Sequence, residues 1–231
     1  MVQVNTPINI RVKFKKVGRL QYVSHLDLVR TMHKIIVRAG LPLWYTEGFN
    51  PKPKMVFAAP LSIGTESVAE FVDIRLVEKM DTAEALRRLN ENMTEEMQAL
   101  EAYYPTRKLT ELKWLSYTIL IKTNGVTAEL AKKCEEALSA DKIEIEKRSK
   151  SGENVSVDIR PLIKSVNVIN DGENIRISCI LSADPSAYLN PEHIIKVLKA
   201  RCGILSDSML TNEWYSIMRE AGYLADMTEF L

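Results

Sequence analysis

The run Ile8-Asn9-Ile10-Arg11-Val12-Lys13-Phe14-Lys15 alternates apolar and polar side chains without a break. A helix would scatter these apolar residues around its circumference, whereas a strand gathers them on one face and the cations Arg11, Lys13 and Lys15 on the other. A strand with one apolar face needs a second layer, and the next segment supplies it. Ser24 and Asp27 stand at capping-box spacing, and Gly40 followed by Pro42 ends the run, so a helix is expected over 24–39. Leu28, Met32, Ile35, Ile36 and Ala39 recur at helical spacing and face the core. That leaves Arg30, Lys34 and Arg38, four apart, as a cationic stripe on the other side.

Beyond this helix lies a stretch, 43–65, punctuated by Gly48, Pro51, Pro53, Pro60 and Gly64 around one short extended run at 55–59. Ordered loops of this length are usually functional. Alternation returns at 70–77, a second helix is expected over 81–92, and a closing strand over 97–104. The order β, α, β-rich loop, β, α, β matches a split βαβ or ferredoxin-like module, and Tyr104-Pro105-Thr106 marks its boundary. The second half repeats the rhythm. A strand is expected at 114–122, a helix at 127–140, and short strands at 143–147, 155–159, 165–168 and 175–181. A further helix is opened by Asn190-Pro191 and closed by Gly203. The stretch 212–223 reads as one more helix, with Trp214, Ile217 and Met218 available for docking. The expected fold is α+β, two tandem ferredoxin-like (split βαβ) modules: 1–105 with a basic face, and 106–231.

The charge of this 231-residue chain totals only +1, but it is unevenly spread. Residues 1–54 hold ten Lys or Arg against Asp27 and Glu47, whereas residues 66–101 hold ten acids against four bases. Such asymmetry lets a near-neutral chain present one electropositive surface to a polyanion. The bland counterpart is that the acidic segment neutralises the basic one in space. No run approaches the roughly 20 apolar residues of a membrane span, and the first residues lack a signal-peptide pattern, so a cytoplasmic protein with no membrane association is expected. Cys134, Cys179 and Cys202 are odd in number and widely spaced, which argues for buried free thiols.

Chemistry is sparse. His25, Asp27 and His33 are not at metal-ligand spacing, and neither a Walker loop nor Gly-x-Gly-x-x-Gly occurs, so no metal and no cofactor is expected. His25 opens the first helix, where the positive end of the helix dipole favours the neutral ring. With Tyr22 and Lys34 it could form a metal-independent site cleaving RNA by attack of a 2′-hydroxyl. His33 and His193 lie within helices and have no partner in view. A binding role fits the residues more naturally. Arg11, Lys13, Lys15, Arg19, Arg30, Lys34, Arg38, Lys52 and Lys54 suit a phosphate backbone, and Asn50 can hydrogen-bond where the loop closes. Tyr22, Trp44, Tyr45 and Phe49 are available for stacking, although most such aromatics belong to cores.

Four motifs carry a resemblance. Tyr22-Val23-Ser24-His25-Leu26-Asp27-Leu28-Val29-Arg30 is followed by Gly48-Phe49-Asn50-Pro51-Lys52-Pro53-Lys54, continuing to Ala59-Pro60-Leu61-Ser62-Ile63-Gly64. Glu70-Phe71-Val72-Asp73-Ile74 and Asp158-Ile159-Arg160-Pro161 come later. Together they resemble the radical SAM-linked protein family over nearly the whole chain. The resemblance implies association with a radical S-adenosylmethionine enzyme that has a cobalamin-binding-like region, either beside it or fused to it. No three-cysteine cluster run occurs here, so that chemistry would reside on a separate chain. The double ferredoxin-like layout also resembles the CRISPR repeat-processing endonucleases, which use a histidine in such a position. Three functions are thus expected in order. The first is a non-catalytic accessory module holding RNA (tRNA or rRNA) for a partner radical SAM enzyme in RNA modification. The others are a metal-independent endoribonuclease centred on His25 and a protein-binding adaptor without RNA affinity.

Overall fold

In the computed structural model the basic alternating run is strand β1 (Ile8–Lys16). Helix α1 (His25–Arg38) follows, with Ser24 as its N-cap accepting from the Asp27 amide. Strands β2 (Met55–Phe57) and β3 (Thr65–Leu76), helix α2 (Thr82–Asn90) and strand β4 (Ala99–Tyr103) complete the first set of elements. The structure describes residues 6–148, 152, 154–205 and 212–231. By internal contacts the chain divides into two units, Met1–Leu112 with Glu229–Leu231, and Lys113–Thr228.

In the first unit the strands lie in the order β4-β1-β3-β2, and every pairing is antiparallel. Period-2 geometry sends Ile10, Val12 and Phe14 of β1 to the same side as Val72, Ile74 and Leu76 of β3. There they meet Leu28, Met32 and Ile36 of α1 and Ala85 and Leu89 of α2. Each fully buried Leu, Ile, Val, Phe or Met side chain contributes roughly 1.5–3 kcal/mol, so this layer is the unit's main source of stability. The opposite face of β1 and β3 is covered around Arg11 and Phe71. Phe230, close to the C-terminus, packs edge-on against Phe71 at 5.1 Å, and the Arg11 guanidinium lies 4.7 Å from its ring. One glycine is favoured by its backbone conformation, with the flexible Glu96 side chain close by. Gly18 has φ +62°, and a Cβ there would stand 2.5 Å from Glu96 Oε1.

In the second unit, β5 (Trp114–Lys122), α3 (Ala128–Ser139), β6 (Glu144–Arg148), β7 (Asn154–Asp158), β8 (Ile163–Asp171), β9 (Asn174–Ser182), α4 (Glu192–Cys202) and β10 (Trp214–Tyr223) follow in turn. The sheet order is β10-β5-β9-β8, while β6 and β7 form a separate hairpin. The helix expected at 212–223 is therefore corrected to a strand. Ile217 is buried and pairs with Ile119, and the Arg219 guanidinium sits 5.6 Å from the Tyr117 ring. Met218, Arg219, Glu220 and Ala221 favour helices, but pairing to β5 overrides that weak local preference. Asn190 still helps open α4, because its side chain accepts from the Glu192 amide at 3.0 Å, and Gly203 closes the helix at φ +71°.

The fold is thus α+β, with all strand pairings between named strands within each unit antiparallel. Among the described residues there are four α-helices, and none is long and apolar enough to cross a membrane. All three cysteines are buried free thiols.

Candidate nucleic-acid interface

Helix α1 presents three sides, each fixed by spacing. Leu28, Met32, Ile35 and Ile36 enter the core. His25, Val29 and His33, spaced i, i+4, i+8, line a cleft of about 360 Å3 closed by Met55, Phe57 and Pro60. Arg30, Lys34 and Arg38 form the third side and are exposed. Lys34 is nine residues from His25, which at roughly 3.6 residues per turn is two and a half turns, so the two side chains leave the helix in opposite directions.

Inside the cleft, His25 packs edge-to-face on Phe57 with ring centroids 5.4 Å apart. His33 Nε2 lies 3.1 Å from the Pro53 carbonyl. A carbonyl can only accept, so the Nε2–H tautomer makes this bond. It pins the loop to the helix one residue from Lys34 and one from Lys52 and Lys54. The loop is held further by Thr46 N to Lys52 O (2.9 Å), Lys52 N to Thr46 Oγ1 (3.0 Å) and Lys54 N to Trp44 O (2.9 Å). Residues 47–50 are left outside this clasp, with Phe49 fully exposed at its tip. Tyr22 (67% exposed) and Tyr45 (44%) also face outward. Three of the four aromatics weighed for stacking are thus outside the core, contrary to their usual habit.

The cations separate into two groups. On β1 carboxylates answer Arg11 and Lys13, though not Lys15. Arg11 is fully buried, and donates from Nε to Asp73 Oδ1 at 2.7 Å and from Nη2 to Asp73 Oδ2 at 3.1 Å and to the Arg107 carbonyl at 2.9 Å. The expectation that Arg11 is a surface contact for RNA is corrected accordingly: the face it occupies is covered. Lys13 lies within 3.2 Å of Glu101 and 3.4 Å of Glu229, whereas Arg19, in the turn after β1, is 95% exposed and only grazes Glu96 at 3.9 Å. On α1 and its loop the pattern reverses. Arg30 pairs with Asp27 across one helical turn at 3.1 Å, an exposed pair of small worth. Asp27 is held below the usual carboxylate range, by the Ser24 hydroxyl first and by Arg30 second. Lys15, Lys34, Arg38, Lys52 and Lys54 make no ion pair among the described residues, and Asn50 is exposed beside them.

The structure therefore brings His25 together with His33 and Phe57, while Lys34 leaves the helix on the opposite side. No hydrogen bond joins His25 to Tyr22 or Lys34 among the described residues, and no group of three His, Cys, Asp or Glu is placed to hold a metal ion. His193 lies in α4 with Nδ1 buried and unpartnered. Burial, and then Lys147 and Lys196, lower its pKa to about 4.

One cluster was missed in the sequence. Arg75, Lys79, Arg107 and Lys108 line a second cleft on the helix-free face of the first unit's sheet. Arg75 and Lys79 lie within the acidic segment and Arg107-Lys108 within a presumed connection, so no local pattern joined them. Strand β2 separates the two clefts by simple alternation, with Met55 and Phe57 on the histidine side and Val56 on the other.

Comparison with known proteins adds the following. No curated protein matches the sequence. Among solved structures, the crystal structure of a Cbf5-Nop10-Gar1 complex is similar with a TM-score of 0.48 and 13% identity, over 93% of this chain and 49% of that one. The archaeal box H/ACA sRNP Nop10-Cbf5 complex gives 0.43 and 11%, over 95% and 49%. An unknown protein from Galdieria sulphuraria gives 0.26 and 7%, over 93% and 99%. The chain spans about half the length of the first two, and likenesses this distant carry no argument about function. A family model described as "Uncharacterized protein conserved in bacteria (DUF2344)" matches residues 9–191, and its description names no radical SAM enzyme. The chain belongs to that family of uncharacterized proteins conserved in bacteria.

Proposed function

We propose that the first unit is a non-catalytic RNA-binding module, and that Arg30, Lys34, Arg38, Lys52 and Lys54 form its phosphate-binding surface. One observation carries this reading: cations that, Arg30 apart, make no ion pair among the described residues share a helix and loop, fastened together by His33, with exposed aromatic side chains. Cations alone would suit an acidic protein equally well. Phe49 and Tyr22 favour RNA, because unstacked bases seat on aromatic faces while Lys and Arg track the backbone. Lys15, Arg19 and Asn50 extend the surface, whereas Arg11 lies inside and Lys13 is neutralised.

The strand orders β4-β1-β3-β2 and β10-β5-β9-β8 support reading both units as ferredoxin-like modules. In this reading RNA, tRNA or rRNA, is held for an enzyme on a separate chain, and the sequence resemblance makes that enzyme a radical SAM protein. The endoribonuclease reading needs Tyr22 and Lys34 at His25, and the geometry of α1 works against it.

The test is RNA titration by the purified chain, with Arg30→Glu/Lys34→Glu as the comparison and gel analysis of the RNA afterwards. Binding that the double variant loses, with RNA intact in both His25→Ala and the unmodified protein, is the expected result. No binding at any salt concentration overturns the proposal and points to a protein partner. Cleavage that survives chelation and disappears in His25→Ala promotes the ribonuclease.

A further inference from the structure

The cleft on the helix-free face of the first unit is lined by none of the α1 cations Arg30, Lys34 and Arg38; it adjoins the RNA surface only at Lys54, whose carbonyl accepts from the Arg75 amide at 2.9 Å. It measures about 480 Å3, within the roughly 300–1,000 Å3 typical of small-molecule sites. Period-2 alternation places it: Asp73 and Arg75 of β3 point away from the side where Val72, Ile74 and Leu76 meet the helices. Four cations line it: Arg75, Lys79, Arg107 and Lys108.

Asp73 is the one carboxylate in the wall, and it is already engaged. Two charge-assisted bonds from Arg11 answer its charge. The same guanidinium donates to the carbonyl of Arg107, another wall residue, and its Nη1 is buried without a partner. Arg75 and Lys108 make no ion pair among the described residues, and Arg107 shares only an exposed contact with Glu111 at 3.4 Å. Tyr104 forms a fixed wall. Its hydroxyl accepts from the Met80 amide and donates to the Met80 carbonyl, both at 2.8 Å, while the Lys79 ammonium lies 5.2 Å from its ring. A preformed concave site with a surplus of positive charge and one rigid aromatic side suits an anion carrying more than one charge, attached to a compact organic group.

We infer that this cleft is a binding site for a small phosphorylated ligand, of the class of a nucleoside diphosphate or other diphosphate ester, distinct from the cationic stripe on α1. Guanidinium groups can grip phosphate oxygens in pairs and the lysines add point charge. A polymer backbone would need an extended track, whereas this cleft is short and lies across the sheet from the stripe on α1.

Isothermal titration of the 231-residue chain with inorganic pyrophosphate and with ADP, at constant ionic strength, tests the inference. Both are expected to bind at one site. Lys79→Gln/Lys108→Gln changes two exposed side chains and should weaken binding by roughly tenfold or more, given the usual worth of charged hydrogen bonds. Arg75→Gln should do the same, whereas Lys34→Gln/Arg38→Gln should leave both affinities unchanged. Absence of binding by the unmodified protein overturns the inference, as does equal binding by the Lys79/Lys108 variant. Displacement of pyrophosphate by RNA in proportion to its occupancy overturns it too, because the cleft would then be part of the RNA track. Loss of RNA binding in the Lys34/Arg38 variant with pyrophosphate binding intact separates this inference from the proposed function.

Discussion

Removing the acid from the Arg11–Asp73 pair should destabilise the first unit far more than removing the pair as a whole. The Arg11 side chain is 0% exposed and that of Asp73 is 10% exposed, and the two are joined in bidentate fashion. Asp73→Ala leaves a buried guanidinium without its counterion, a change worth about 3–5 kcal/mol, or two to three and a half decades in the folding equilibrium. Arg11→Met strands the carboxylate instead, with a loss somewhat smaller because Asp73 retains a little water. Arg11→Met/Asp73→Leu removes both charges and restores apolar volume on a face already lined by Phe71 and Phe230, so its stability should return to near or above that of the unmodified protein. Urea unfolding of the full chain gives the three differences, and hydrogen exchange of the β1 and β3 amides assigns them to the first unit. A single Asp73→Ala variant within about 0.5 kcal/mol of the parent would refute the reasoning. Arg11 would then reach water, and β1 would be the basic surface its sequence suggests.

Three further outcomes are expected. Ser24→Ala removes the cap that accepts from the Asp27 amide, and should lower stability by about 1 kcal/mol in the same unfolding assay. His193 has its pKa lowered from 6.5 to about 4 in the fold. The unfolded chain therefore binds the extra proton first, stability is fully present above pH 6.5 and declines towards pH 4, and His193→Phe should flatten that limb of the pH–stability profile. Phe49→Ser should leave the melting temperature unchanged, since the ring is fully exposed, yet weaken RNA binding by about 1–3 kcal/mol, the usual worth of one base stacked on an aromatic ring.

Much of the architecture is written locally. The strict alternation at 8–15, the Ser24 cap and the Gly40-Pro42 stop specify β1 and α1 almost to the residue, because period and capping act within a few positions. The fate of Arg11 is not local. Alternation states that a side chain points away from Val12 but not whether that side is wet, and here Phe230, more than two hundred residues later, helps cover it. Strand β10 is hidden from local reading for a related reason. Its pattern contains a buried Arg219 where an apolar residue would advertise a strand, and only the ladder with β5 gives that position its place. The separation of His25 from Lys34 was legible from nine residues of helix alone. The pairing of Arg11 with Asp73 and of Lys13 with Glu101 was not, since it depends on which strands become neighbours.

The salt dependence of RNA binding tests the central claim most directly. A single-stranded RNA titrated into the unmodified chain and into Lys34→Gln/Arg38→Gln/Lys52→Gln/Lys54→Gln gives two log–log slopes of affinity against salt. Each lost phosphate contact removes about 0.7 from the slope. The account predicts that the fourfold variant has a slope shallower by roughly three, while Lys13→Gln, whose charge is already answered by Glu101 and Glu229, leaves it unchanged. Equal slopes for the parent and the fourfold variant would contradict the account and remove α1 and its loop as the RNA surface.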